Sequence, residues 1–348
     1  MTIPKKLDDL TSEWLSDVLG RHITEVRGEP IGVGIGLVGT LFRLTLTGDG
    51  EPATIIAKLA APTDEGRFVA TILNMYGREV GFYTQLSERT PIGHPKCYYA
   101  AHDDTTQDTV LLLEDVSERG TLQDQLTGCE VDATRPALRT LAKLHAAFWD
   151  DPTLADCPFL LRLCDDPYPG AVAFAYETAW PRVQEFFPEQ MTEQVVEFGN
   201  AYAARIAPLF AKLCDGPHVL SHADWRLDNL FLTPGGEVIS VDWQLIDRSV
   251  APRDVAYFVS QSVNVKEPED QQYLFSTYLE ELASFGIQPD RDWAWEMYRY
   301  ATMFGFVYPV VAAGALTIED PRHMQITGRM LQRSIAAITT LDAFELPL

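Results

Sequence analysis

Basic residues, paired cysteines and long apolar runs are all scarce in this chain, and each scarcity closes off a class of function. Its 348 residues carry 27 Lys and Arg against 50 Asp and Glu, a formal charge of −23 with His neutral. A field of that sign repels phosphate backbones and anionic lipid, so no nucleic acid partner is expected. It also attracts cations in general, but its plainest effect is solubility. The five cysteines, at 97, 129, 157, 164 and 214, are odd in number and include no Cys-x-x-Cys pair. That argues against a disulfide scaffold or a zinc ribbon and predicts a reducing, cytoplasmic setting. The first ten residues, with Lys5, Lys6, Asp8 and Asp9 among them, lack the apolar centre of a secretory signal. One stretch approaches a membrane-spanning length: Ala301 to Ile318 is 18 residues without a charge. Gly305, Pro309, Gly314, Thr302 and Thr317 dilute it, which predicts a buried helix of the core and no membrane span.

What remains is ample material for a globular core, 46% apolar and 11% aromatic. The length suits two domains or one large bilobal fold. Leu7, Leu10, Trp14, Leu15 and Val18 recur at helical spacing and stop at Gly20. A glycine-rich passage, residues 31–40, leads into an alternating strand at 41–47, a turn at Gly48-Asp49-Gly50 and a second strand at 53–60. Residues 65–88 read as one helix with Phe68, Ile72, Met75, Glu79, Phe82 and Leu86 on one face. Strands are predicted at 96–101 and 109–113, and the polar passage after residue 115 is taken as the boundary between lobes, 1–115 and 116–348. Helices follow from Pro136 and around 170–187, 190–214, 268–285, 291–316 and 321–341. One strand pair, 230–232 and 238–241, interrupts them around Pro234-Gly235-Gly236. A strand-rich first third followed by helices predicts an α+β arrangement.

The chemistry clusters around that predicted hairpin. Asp224 and Asn229 lie five apart before its first strand, and Asp242 lies 13 further on, just after the second. A tight hairpin would gather all three at one rim. Phosphoryl transfer needs such a set: one carboxylate for the attacking hydroxyl's proton, and an amide oxygen plus a second carboxylate for magnesium. Asp224 suits the catalytic role, and Asn229 and Asp242 the metal. Either residue type alone beside a strand usually caps backbone; the joint spacing favours chemistry. Asp228 is read as structural.

The first third supplies complementary groups. Gly34, Gly36 and Gly39 would let backbone amides approach a triphosphate. Lys58 is a lone cation inside the apolar strand 53–60, costly to bury without a partner. Glu79, on the stripe of the following helix, is the natural partner, and the pair would aim the ammonium at the phosphates of ATP.

These residues resemble the aminoglycoside phosphotransferase and choline kinase-like superfamily of small-molecule kinases. The matching pieces are His222-Ala223-Asp224 with Asn229, Asp242-Trp243-Gln244 and Pro252-Arg253-Asp254-Val255-Ala256. Leu111 to Asp115, Arg78 to Tyr83 and Leu144 to Trp149 look closest to the ecdysteroid kinase-like branch. The resemblance implies a bilobal protein-kinase-like fold with a small antiparallel-sheet N-lobe and a large helical C-lobe. It further implies ATP with Mg2+ and an adenine pocket at 113–116, with Glu114 and Val116 among its residues. His145, His222 and Asp254 would brace the catalytic loop. Ala223 replaces the family's usual glycine, and Asp-Trp-Gln replaces Asp-Phe-Gly.

The expected function is phosphoryl transfer from ATP to a hydroxyl of a small molecule. Only 12 positions separate Asp242 from Asp254, which leaves little room for a protein-substrate platform. Few charges in 292–318 and nearby aromatics such as Trp180, Phe186, Trp295, Tyr298, Phe304 and Phe306 favour a hydrophobic alcohol over a polycationic sugar. An aminoglycoside kinase and a non-catalytic, kinase-shaped nucleotide-binding protein are the alternatives.

Overall fold

A computed structural model describes residues 2–32, 38–314 and 321–348. Antiparallel pairing begins with β1 (Ile23–Ile31), which hydrogen-bonds to β2 (Gly39–Gly48), and β2 to β3 (Thr54–Ala60). The sheet is completed by β4 (Cys97–His102) and β5 (Thr109–Glu114), in the order β1-β2-β3-β5-β4. At the end of β2, Gly48 has φ +154°, and a Cβ there would stand 2.2 Å from the His22 carbonyl oxygen, so only glycine fits.

The chain divides into two units, 1–121 with 239–245, and 122–238 with 246–348. In the first unit, α1 (Ser12–Leu19) is capped by Thr11, whose hydroxyl accepts from the Trp14 amide, and ends at left-handed Gly20. Its Leu15 joins Leu44, Leu46, Ile55, Ala57, Leu59, Val110 and Leu112 in a core on one sheet face. On the other face, Ala60 packs with Val38, Ala70, Met75 and Tyr76. The helix expected over 65–88 is three pieces: α2 (Asp64–Ile72), α3 (Met75–Gly81) and a π-turn at Phe82–Leu86. The break falls at Asn74, whose φ of +49° is left-handed. It resets the helical phase, so Phe68 is exposed while Met75, Glu79, Phe82 and Leu86 are buried.

Residues 239–245 complete this unit from far along the sequence. Ile239 bridges to Gly93, and the Ser240 amide donates to the Gly93 carbonyl at 2.8 Å. Trp243 stacks on Phe82 with centroids 3.8 Å apart and planes within 6°. Such aromatic pairs add about 0.5–1.5 kcal/mol beyond the area they bury. Arg78 donates to the Leu245 carbonyl at 3.3 Å.

After the two-residue strand β6 (Thr121–Leu122), helices dominate: α4 (Arg135–Ala147), α5 (Tyr168–Phe186) and α6 (Glu193–Lys212). Strands β7 (His218–Ser221), β8 (Leu230–Leu232), β9 (Val238–Ser240) and β10 (Asp247–Val250) come next. Then follow α7 (Pro252–Ser262), α8 (Pro268–Ser284), α9 (Arg291–Phe304), α10 (Val307–Gly314) and α11 (Pro321–Thr340). Thr233 and Glu237 close the β8–β9 turn at 2.9 Å. One strand pair was expected among the helices, but β7 also pairs antiparallel with β10. α7 was not expected either; it starts on Pro252, whose fixed φ suits the first helical turn. The uncharged stretch from 301 is interrupted between α9 and α10, and no described helix is long and apolar enough to cross a membrane.

Candidate active site

β-strand alternation decides where Lys58 points. Ile55, Ala57 and Leu59 enter the α1 face, so Lys58 and Ala60 turn to the α3 face. On α3, Glu79 lies four residues beyond Met75 and therefore on the same side. Glu79 Oε2 is 2.6 Å from Lys58 Nζ, and Lys58 also donates to Asp242 Oδ1 at 2.6 Å. The Lys58 and Glu79 side chains are 9% and 3% exposed, and that of Asp242 is 26% exposed, so Asp242 is the member open to solvent. Burial alone would strip the Lys58 proton, but the carboxylates of Asp242 and Glu79 hold its pKa above the ordinary range. Burial pushes Glu79 up to about 7 against the pull of Lys58, because two carboxylates share one cation.

Asp242 has φ +66°, a left-handed conformation that swings its carboxylate out of the line of the chain. Gln244 Nε2 donates to its Oδ2 at 3.2 Å. Gly39, paired with Ala60, lies against Lys58: a Cβ there would approach Leu59 O to 3.2 Å and Lys58 Cε to 3.6 Å. Gly34 and Gly36 lie outside the described residues. The Glu114 carboxylate is engaged locally, accepting from the Lys96 amide at 3.0 Å and from Arg119 at 2.9 Å. Buried Val116 opens a short turn capped by Asp115, which Arg43 anchors at 2.7 Å.

In the second unit, Asp254 organises the loop that leaves β7. Its Oδ1 accepts from the Ser221 hydroxyl at 2.8 Å and the Ala223 amide at 2.9 Å. Its Oδ2 accepts from the His222 amide at 2.8 Å and from His145 Nε2 at 3.1 Å, while the Tyr278 hydroxyl lies 2.7 Å from His145 Nδ1. Burial opposes ionisation of Asp254, but His145, Arg253 and Ser221 together hold its pKa down at about 2. Ala223 has φ +63°, the region that glycine enters most easily.

This loop delivers Asp224 into a ring of donors. Asp224 Oδ1 accepts from the Tyr257 hydroxyl at 2.7 Å and from Arg226 Nε at 3.1 Å. Asn229 Nδ2 donates to the Asp224 carbonyl at 2.9 Å and to its Oδ2 at 2.7 Å. Both amide hydrogens are thereby used, which leaves Asn229 presenting its oxygen as an acceptor, the donor atom a hard cation requires. Asp228 serves structure, accepting from the Gln125 amide at 2.8 Å and from Arg226 at 3.1 Å.

Lys58, Glu79 and Asp242 meet in the first unit, and Asp224 and Asn229 meet in the second. Two neighbours of Asp224 were missed in sequence. Tyr257 stands three residues after Asp254 on α7, one helical turn along, and Arg226 stands two residues after Asp224. Their positions relative to the loop motif were the available signal. Among the described residues no group of three or more His, Cys, Asp or Glu is arranged to hold a metal ion. A magnesium bound through one or two protein oxygens and its nucleotide needs no such group.

The aromatics of the second unit pack chiefly on one another. Tyr176, Trp180, Phe198, Tyr202 and Phe306 are all buried, with Tyr176 and Tyr202 centroids 5.0 Å apart and Trp180 and Phe306 5.8 Å apart. They are core side chains and leave the acceptor's polarity open.

Several solved structures share this fold. A provisionally assigned aminoglycoside phosphotransferase from Ralstonia eutropha is 14% identical, with 95% of this chain and 97% of that one covered at a TM-score of 0.57. The choline kinase LicA from Streptococcus pneumoniae is 13% identical, covering 96% and 99% at 0.54. The ADP-bound aminoglycoside phosphotransferase APH(2'')-Ib is 13% identical, covering 96% and 98% at 0.52. A search among curated proteins matched none of them. The sequence pattern of the ecdysteroid kinase-like family matches residues 36–149 and 164–286, more than half of the chain. The α+β fold is therefore of the kinase type, and the chain belongs to the ecdysteroid kinase-like family.

Proposed function

We propose that this protein is an ATP- and magnesium-dependent phosphotransferase that acts on a hydroxyl group of a small molecule. The observation that carries the reading is the buried Lys58 ammonium, held at 2.6 Å by both Glu79 and Asp242. A cation fixed that firmly, with its solvent-facing carboxylate partner beside it, suits an anionic ligand that brings its own divalent metal. Fold relatives support nucleotide use, one of them holding ADP.

In this reading Lys58 binds the nucleotide's phosphates and Glu79 keeps the ammonium aimed. Gly39 and the glycine passage containing Gly34 and Gly36 bring backbone amides to the phosphates, and residues 113–116, with Glu114 and Val116, receive the adenine. The Asn229 amide oxygen and the Asp242 carboxylate would hold magnesium, which when bound neutralises charge on the phosphate oxygens. Asp224 orients the acceptor hydroxyl and takes its proton. Its donors, Tyr257, Arg226 and Asn229, hold the carboxylate in place, as suits a reaction in which positioning does most of the catalysis. The acceptor proposed is a hydrophobic alcohol, and the cytoplasmic setting accords with five free cysteines.

The test is ATP consumption by the purified chain against a broad panel of alcohols, choline-like amino alcohols and aminoglycosides, with mass detection of a phosphate adduct. An adduct that requires magnesium and disappears in Asp224→Asn is the expected result. Turnover of aminoglycosides alone would replace the acceptor class. Nucleotide binding without any adduct would replace the reading by a non-catalytic one.

A further inference from the structure

Apart from the site above, two of the five free cysteines meet. Cys164 lies in the loop before α5, and Cys214 lies just beyond α6, 50 positions further on. The Cys164 amide donates to Cys214 Sγ at 3.3 Å, which sets the two residues side by side. Both residues are half-buried, so a small oxidant can reach them.

The surroundings of the pair are cationic on one side. Arg162, two residues before Cys164, acts electrostatically on both sulfurs. Its backbone pairs with that of Arg248 in β10, while Asp165 holds its guanidinium at 2.7 Å. Burial pushes the Cys214 thiol up to about 12, with Asp247 adding to the effect. A cationic, partly exposed setting is where reactive cysteines occur, and here it lies beside Cys164.

We propose that Cys164 and Cys214 are a thiol pair that peroxide converts reversibly to a disulfide. The Cys164 thiolate attacks one oxygen of hydrogen peroxide, the O–O bond breaks, and a sulfenic acid and one water form once a proton is taken up. The Cys214 sulfur then attacks the Cys164 sulfur, the S–O bond breaks, and the Cys214 proton leaves with hydroxide as a second water. Two thiols lose two electrons in all, and the peroxide gains them. The new bond would fasten the loop around Cys164 to the segment entering β7, four residues before His218, and so to the strand that feeds the Asp224 loop.

The experiment treats the full chain with hydrogen peroxide, alkylates it in denaturant and maps its peptides by mass. The expected result is loss of two free thiols, a peptide pair joining Cys164 to Cys214, and full reversal by dithiothreitol. The oxidised chain should also unfold several degrees higher, because the cross-link restricts the unfolded state. Cys164→Ser and Cys214→Ser should each abolish the joined pair, while Cys157→Ser retains it. In Cys214→Ser, dimedone should label Cys164. Cross-links to other cysteines, or irreversible oxidation of Cys164 with Cys214 still alkylatable, would overturn the proposal.

Discussion

Lys58 and Glu79 stand 2.6 Å apart, one on a central strand and the other on the helix facing it, with both side chains almost wholly withdrawn from water. Asp242 takes the same ammonium from the other side. Removing the cation would leave two carboxylates facing each other in a poorly solvated site. Lys58→Met should therefore abolish nucleotide binding and also lower stability by about 3–5 kcal/mol. Urea unfolding and nucleotide titration measure the two losses separately. A variant as stable as wild type would show that the cation does not offset the buried charges.

Glu79 sets a pH dependence whose sign can be worked out. Its folded pKa lies near 7, above its ordinary 4.5. Its contribution to stability is thus fully present below pH 4.5 and is lost as pH rises through 7. The loss is on the order of 2–3 kcal/mol. Glu79→Gln cannot ionise, so its stability should vary less than wild type's across that window. Parallel urea midpoints for the two proteins at every pH would contradict the assignment.

Asp254 works in the opposite direction. Its folded pKa near 2 lies below its ordinary 3.8, so its stabilisation is present above pH 3.8 and disappears as pH falls through 2. Asp254→Asn keeps one acceptor oxygen and turns the other into a donor, so either the His222 or the Ala223 amide loses its partner, which should cost about 3 kcal/mol at neutral pH. Acid unfolding of the variant should be correspondingly less steep, which circular dichroism across the acid range would detect.

Asp224→Asn keeps the shape of the side chain but cannot take a proton. Turnover should fall about a thousandfold or more, while nucleotide affinity stays within about threefold of wild type. Retained turnover would move the catalytic role to another residue.

Tyr257→Phe removes one donor from Asp224 and touches nothing else in the proposed machinery. The expected effect is a kcat about tenfold lower with KM little changed, because a positioning hydrogen bond is lost and no substrate contact is. A change confined to KM would mean instead that Tyr257 contacts the acceptor.

Much of this could be read from residue order, and the failures have physical causes. Asp224 and Asn229 announced themselves by spacing, and Lys58 by being the one charge in an apolar strand. β1 was missed because it is an edge strand, largely exposed, carrying Glu25, Arg27, Glu29 and Pro30 where alternation would be sought. The break at Asn74 was missed because no proline or glycine marks it. β7 and β10 are four residues each, too short for a periodic signal. Tyr257 belongs to no motif in the sequence, and only a fold that turns its hydroxyl toward Asp224 reveals its place.

The returning stretch 239–245 has a consequence for how the protein is made. Lys58 and Glu79 leave the ribosome early, yet their third partner and the indole that covers Phe82 are translated more than a hundred residues later. The nascent N-terminal sheet must therefore persist without its closing piece while more than a hundred further residues are made, with the face of Phe82 that Trp243 covers left open. A product truncated before Ile239 would keep that apolar surface exposed for good, marking it for chaperones and proteolysis.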